Sequence, residues 1–137
     1  MSYKCKHFAI HELVPPKVFE DRGEKAWELL DDRLLHMIDN LRREFGPATI
    51  NNYYWGGERD WSGLRTPESP WYSPYSQHTF GRAADLLFKE ATADEVRDAI
   101  KRHRNVGIYP DITGLEEGIS WVHIDVRNYG GLKVFSP

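Results

Sequence analysis

Three side chains stand out for the chemistry their types and spacing allow. His78 and Asp85 lie seven positions apart in SQHTFGRAADLLF (76–88), with Gly81, Ala83 and Ala84 between them. His123 lies in WVHIDVR (121–127). Zinc accepts imidazole nitrogen and carboxylate oxygen, and a catalytic zinc takes three protein ligands and keeps one position for water. Gly81 permits a backbone turn that other residues resist, which would fold the segment carrying His78 back towards Asp85. Ala83 and Ala84 would let neighbouring elements approach closely. In an extended strand, alternation puts Trp121, His123, Asp125 and Arg127 on one face, and a ligand on a strand is rigidly held. The competing reading is that these are ordinary hydrogen-bonded residues, since a His and an Asp at a given spacing arise often by chance. The other histidines (His7, His11, His36 and His103) are read that way. His7 and His11, four apart, have helical metal-pair spacing but no third ligand nearby.

Composition narrows the setting. A chain of 137 residues is expected to form one domain over 1–137, long enough to bury a core without disulfides or a structural metal. A bound metal would then serve chemistry rather than folding. The net charge of -3 gives no general basic footprint, so nucleic acid is not an expected partner. The cluster KRHR (101–104) reads as a solvated helix end that complements the helix dipole. The single Cys5 excludes an internal disulfide and a cysteine-based zinc ribbon. No apolar run reaches membrane-spanning length and the start lacks a signal-peptide core, so membrane insertion is not expected and the product is expected in the cytoplasm unless something else exports it. A monomer is expected.

The elements that must position these residues follow from pattern. FAIHELVPPKVFE (8–20) reads as an arm with a short helical turn stopped by Pro15 and Pro16. Trp27, Leu30, Leu34, Ile38, Leu41 and Phe45 give one apolar face to a helix over 24–45, ended by Gly46 and Pro47. ATINNYYW (48–55) reads as a strand. Residues 56–77 form a long Gly-, Ser- and Pro-rich loop, a length usually tied to function, and its Trp61, Trp71, Tyr72 and Tyr75 argue against disorder. AADLLF (83–88) is a strand. TADEVRDAIKRH (92–103) is a helix opened by a Thr92–Glu95 capping box. VGIY (106–109) is a short strand, and SWVHIDVR (120–127) alternates as a strand should. Helices first, then strands with one inserted helix, predict an α+β fold with a small, mainly antiparallel sheet flanked by helices.

SQHTFGRAADL resembles the Ser-x-His-x-x-Gly-x-Ala-x-Asp signature of the D-alanyl-D-alanine carboxypeptidase family of zinc peptidases, which includes phage endolysins. WVHIDVR resembles the later His-x-Asp segment of that family's small single-domain branch, and INNYYWGG…SGLR the segment that ends in an Arg before the first motif. The likeness runs from about Ile50 to Arg127. It implies a hedgehog/DD-peptidase type of fold and one zinc ion per chain, held by His78, Asp85 and His123. It also implies peptide stems of peptidoglycan as partner and substrate, and action at a cell wall or from a virion. Arg65 takes the place of the family's Arg beside the scissile peptide, with Arg59 as competitor. A guanidinium fork suits a carbonyl or carboxylate. Trp61 and Ser76 join Arg65 as substrate-binding candidates.

One position departs from the pattern. Where the family carries a carboxylate or His two or three residues before the last zinc ligand, this chain has Trp121 and Ser120, neither able to take a proton at neutral pH. Asp125 on the strand and then Glu117 in TGLEEGI are the candidates for the catalytic base, with Glu116 beside the latter. The expected function is zinc-dependent hydrolysis of peptidoglycan stem peptides. Its alternatives are a non-catalytic zinc module of the same fold, such as a phage structural protein, and a metal-free binding domain with an aromatic loop.

Overall fold

Pro15 and Pro16 open a helix rather than stop one. In the computed structural model, which describes residues 3–104 and 107–137, helix α1 (Pro16–Arg22) has Pro16 in its first turn. Proline fits there because its missing N–H would have no intrahelical partner anyway. The short turn expected before it is a 3-10 segment, Ile10–Glu12.

The helix expected over 24–45 is split. Gly23–Leu29 is 3-10, Leu30 is extended, and α2 runs Asp32–Phe45 with Asp31 as its cap. The cause is tertiary. The Asp31 N–H donates to the carbonyl of Gly81 at 2.9 Å, which takes it out of any continuous helical ladder. Asp31 then caps α2 through its side chain, accepting from the Arg33 N–H at 2.9 Å. Gly46, with φ +85°, ends the helix as expected.

Five strands occur among the described residues: β1 (Ala48–Thr49), β2 (Ala83–Phe88), β3 (Gly114–Glu116), β4 (Val122–Asp125) and β5 (Lys133–Phe135). They form one sheet in the order β1-β2-β4-β3-β5, antiparallel except for the β3–β5 pair. The α+β class with a mainly antiparallel sheet is therefore as the sequence predicts. β2 falls where AADLLF reads as a strand, and β4 lies within the alternating segment 120–127. The expected strand 48–55 shrinks to β1, and Tyr53–Trp55 turn as 3-10 because the Tyr53 hydroxyl donates to the Val14 carbonyl at 2.8 Å. Of the expected strand 106–109, Val106 lies outside the described residues, and 107–109 form a turn and bend. Helix α3 (Ala93–His103) carries the Thr92–Glu95 capping box in full.

Register divides the sheet into two chemistries. Ala84, Leu86, Leu115, Val122 and Ile124 face one way and join Leu34, Ile38, Leu41, Val96 and Ile100 of α2 and α3 in a single buried cluster. Burying each large aliphatic side chain contributes about 1.5–3 kcal/mol. On the opposite face, Asp85, His123, Glu116 and Phe135 stand in one row across β2, β4, β3 and β5.

Gly81 answers why small residues crowd between His78 and Asp85. Its φ is +69°, and a Cβ there would sit 2.1 Å from the Leu29 carbonyl oxygen. Both the turn and the approach to the broken helix require a missing side chain. Gly81→Ala is expected to cost at least about 2 kcal/mol in chemical denaturation. Gly130→Ala, where a Cβ would meet nothing within 4 Å, should leave the midpoint unchanged.

Candidate metal centre

Strand β2 supplies Asp85, β4 supplies His123, and the loop before β2 supplies His78. The loop is not free to wander. Buried Asn51 accepts from the Ser62 N–H at 2.9 Å and donates to Val14 O, while the Ser62 carbonyl accepts from the Asp85 N–H at 2.8 Å. The Arg65 N–H donates to His78 O at 3.1 Å. These bonds lay residues 62–65 along the start of β2 and bring His78 over Asp85.

The three side chains converge. Asp85 Oδ1 lies 2.9 Å from His123 Nδ1 and 3.4 Å from His78 Nε2. One ligand atom from each can be chosen so that all lie within 4.8 Å of one another. Tetrahedral donors about 2.0–2.1 Å from a zinc-sized ion stand about 3.3 Å apart, so the spacing suits a single ion. All three residues are buried. Among the described residues this is the one such group of His, Cys, Asp and Glu, and His7 and His11 take no part in it.

The outward-facing ring nitrogens fix how the rings point. His78 Nδ1 is 2.8 Å from the Gly63 carbonyl, which can only accept, so Nδ1 carries a proton and Nε2 is turned inward towards Asp85. His123 Nε2 is 2.9 Å from Asp125 Oδ2, leaving Nδ1 turned towards Asp85. Asp125 is in turn clamped by Arg127 through Nε at 2.7 Å and through Nη2. Gly114 makes this clamp possible, since a Cβ there would lie 2.0 Å from Asp125 Oδ1.

Charge follows from these contacts. Burial would lower the pKa of His123, but hydrogen bonds to Asp125 and Asp85 on either side outweigh it and push it up to about 9. Burial opposes ionisation of Asp85, yet its bonds from His123 and His78 hold its carboxyl well below the usual range. Asp125 is held down to about 2 against its burial, chiefly by Arg127. Without a metal, His123 is thus an imidazolium between two carboxylates.

A cleft of about 700 Å³ opens over the triad. Arg65, Trp61 and Ser76 line it, as do Trp121 and Arg127 from the predicted strand face. Arg65 donates from Nε to Trp61 O and from Nη2 to Asp85 Oδ2 at 3.2 Å. Arg59 also lines the cleft, but its guanidinium is bonded to Ile50 O and Ser62 Oγ and braces the loop. The two residues favoured for proton transfer are placed otherwise. Asp125 is fully buried behind the His123 ring, its oxygens bonded to Arg127 and His123. Glu117 is turned to α3 and pairs with Lys101 at 3.1 Å. Glu116 lines the cleft instead, with Oε1 4.0 Å from His123 Nδ1.

No family model, curated protein or solved structure matches the chain. The arrangement therefore stands on its own geometry, and what it shows is a buried His–Asp–His group that could hold a metal ion.

Sequence reasoning missed three contributors. Phe135 packs edge-on against His123 and beneath the Arg127 guanidinium. Arg97, buried on α3, donates to Trp121 O and Ile119 O and fixes the approach to β4. Gly63 orients His78 through a backbone carbonyl, for which side-chain type gives no signal. Arg97 alone had one, an arginine at a core-facing position of α3.

The raised pKa of His123 sets a pH dependence for the metal-free protein. Its stabilising share is complete below the ordinary value of 6.5 and is lost as pH rises through about 9. Asp85 and Asp125 act in the opposite sense: their share is present above the ordinary 3.8 and is lost only in strong acid. Metal-free protein should therefore lose stability between pH 7 and 9 in urea titrations. Metal uptake at pH 7 should release about one proton, read by calorimetry in buffers of different ionisation enthalpy.

Proposed function

We propose that the protein is a zinc-dependent peptidase that hydrolyses peptide bonds in the peptide stems of peptidoglycan, on a fold of the hedgehog/DD-peptidase type. The observation that carries this reading is the convergence of His78, Asp85 and His123 at the floor of an open cleft. Two imidazoles and one carboxylate are a donor set that suits catalytic zinc. The resemblance of SQHTFGRAADL and WVHIDVR to the D-alanyl-D-alanine carboxypeptidase family supports the same ion and the same substrate class.

When bound, zinc supplies Lewis-acid polarisation of a carbonyl and makes water acidic enough to attack near neutral pH. The chain's own residues do the rest. Asp125 and Gly63 O keep the two imidazoles turned inward. Arg65 is anchored by Nε and Nη2, which leaves Nη1 to meet the oxygen of the scissile carbonyl and the charge that grows on it. Burial lowers the Arg65 pKa, with Asp85 and Glu116 opposing. Trp61, Trp71 and Tyr75 line the cleft, and Trp71 and Tyr75 are 68% and 85% exposed. Rings so placed suit the flat faces of a sugar or peptide polymer. The resemblance to the family's endolysins supports a cell wall as the site of action.

Purified protein is expected to hold one zinc per chain and to release peptides from purified peptidoglycan, followed by mass spectrometry. A chelator should stop release and added zinc restore it. His123→Ala and Asp85→Ala should lose both metal and release. Arg65→Lys should keep the metal but lower kcat/KM about 10- to 100-fold, because an ammonium lacks the fixed planar fork that holds Trp61 O and Asp85 while aiming a further donor at a carbonyl. Zinc-loaded protein that releases nothing from any peptidoglycan would leave a metal-binding module without peptidase activity.

A further inference from the structure

Amide hydrolysis needs a group that takes a proton from water and returns one to the departing nitrogen. Among the described residues the cleft presents four carboxylates: Glu58, Asp60, Asp85 and Glu116. Asp85 belongs to the triad. Glu58 and Asp60 belong to the loop wall and make no ion pair with the triad's histidines. Asp125 lies on the far side of the His123 ring and is saturated by Arg127. Glu117 follows Glu116, points away and is held by Lys101.

Glu116 differs from all of these. Its Cα pairs directly with that of His123, so the side chains share a face. Its Oε1 is 4.0 Å from the inward nitrogen of His123, and no hydrogen bond fixes its carboxylate among the described residues. Glu116 lines the cleft together with Arg65 and Arg127, and its charge acts on both guanidinium groups.

We infer that Glu116, carried by the strand next to the one bearing His123, is the proton-transferring residue of this site. The inference rests on the peptidase reading. A proton leaves water for the Glu116 carboxylate as the new O–C bond forms at the scissile carbonyl. The same proton passes to the amide nitrogen as the C–N bond breaks. The products are a carboxylic acid and an amine, and Glu116 is ionised again.

The test compares zinc-loaded wild type, Glu116→Gln, Glu116→Asp and, as a surface control, Glu20→Gln. Glu116→Gln should bind zinc within about threefold of wild type and keep KM within about threefold, while kcat falls by about 10²–10⁴-fold. Glu116→Asp, which keeps a carboxylate, should recover part of that rate. A second measurement needs no turnover. Acetohydroxamate binding to the zinc-loaded chain, followed by calorimetry, should weaken at least tenfold in Glu116→Gln and stay unchanged in Glu20→Gln, because the probe's proton loses its acceptor. Unchanged kcat, lost zinc, or unchanged hydroxamate affinity in Glu116→Gln would each overturn the assignment. So would a rate loss seen in Glu117→Gln but not in Glu116→Gln. Should wild type release no peptide, the peptidase reading falls, and the hydroxamate comparison alone decides whether Glu116 faces the open position.

Discussion

The pairing of β4 with both β2 and β3 is the constraint on which the rest of the structure depends. It puts Asp85, His123 and Glu116 in one lateral row, with His123 in the middle. Side chains alternate along a strand, so the same register that sends Val122 and Ile124 into the core must send His123 and Asp125 the other way. The apolar cluster under the sheet and the polar row above it are two results of one alignment. A slip of one residue would turn Asp85 or His123 into the apolar core and its aliphatic neighbours onto the cleft face, and the burial of large aliphatic side chains opposes it strongly.

Orientation is a separate matter from placement, and the chain handles it with groups outside the triad. A carbonyl behind His78 and a clamped carboxylate behind His123 each take the proton-bearing nitrogen of a ring. The clamp reaches further, from Arg127 to the face of Phe135 on the last strand. The parallel β5, marginal as three residues, thus supports the wall behind His123. Polar groups so buried are tolerable because nearly every one has a partner.

Much of this was legible in the residues. β4 and α3 carry strong local signals, alternation in one and a capping box in the other, and both occur at the expected places. The His78, Asp85 and His123 grouping was legible because a Gly turn and a period-two strand restrict where those side chains can go. Other features were not. The break at Leu30 depends on a hydrogen bond to Gly81, fifty residues away, which no local pattern reports. β3 and β5 are three residues each, too short to show a period. For that reason the face taken by Glu116 and Glu117 could not be read: adjacent residues in an unseen strand differ only by parity.

The bond between the Asp31 amide and the Gly81 carbonyl, with the Asp31–Arg82 ion pair beside it at 3.7 Å, ties the start of α2 to the segment that follows His78. It makes the first turn of α2 and the segment holding His78 a single mechanical unit. Fraying at the start of the helix loosens the loop anchor, and a ligand that stiffens the loop also quiets the helix end. The exchange rate of one backbone proton, on a residue far from any chemistry, thereby becomes a gauge of how firmly the triad is assembled.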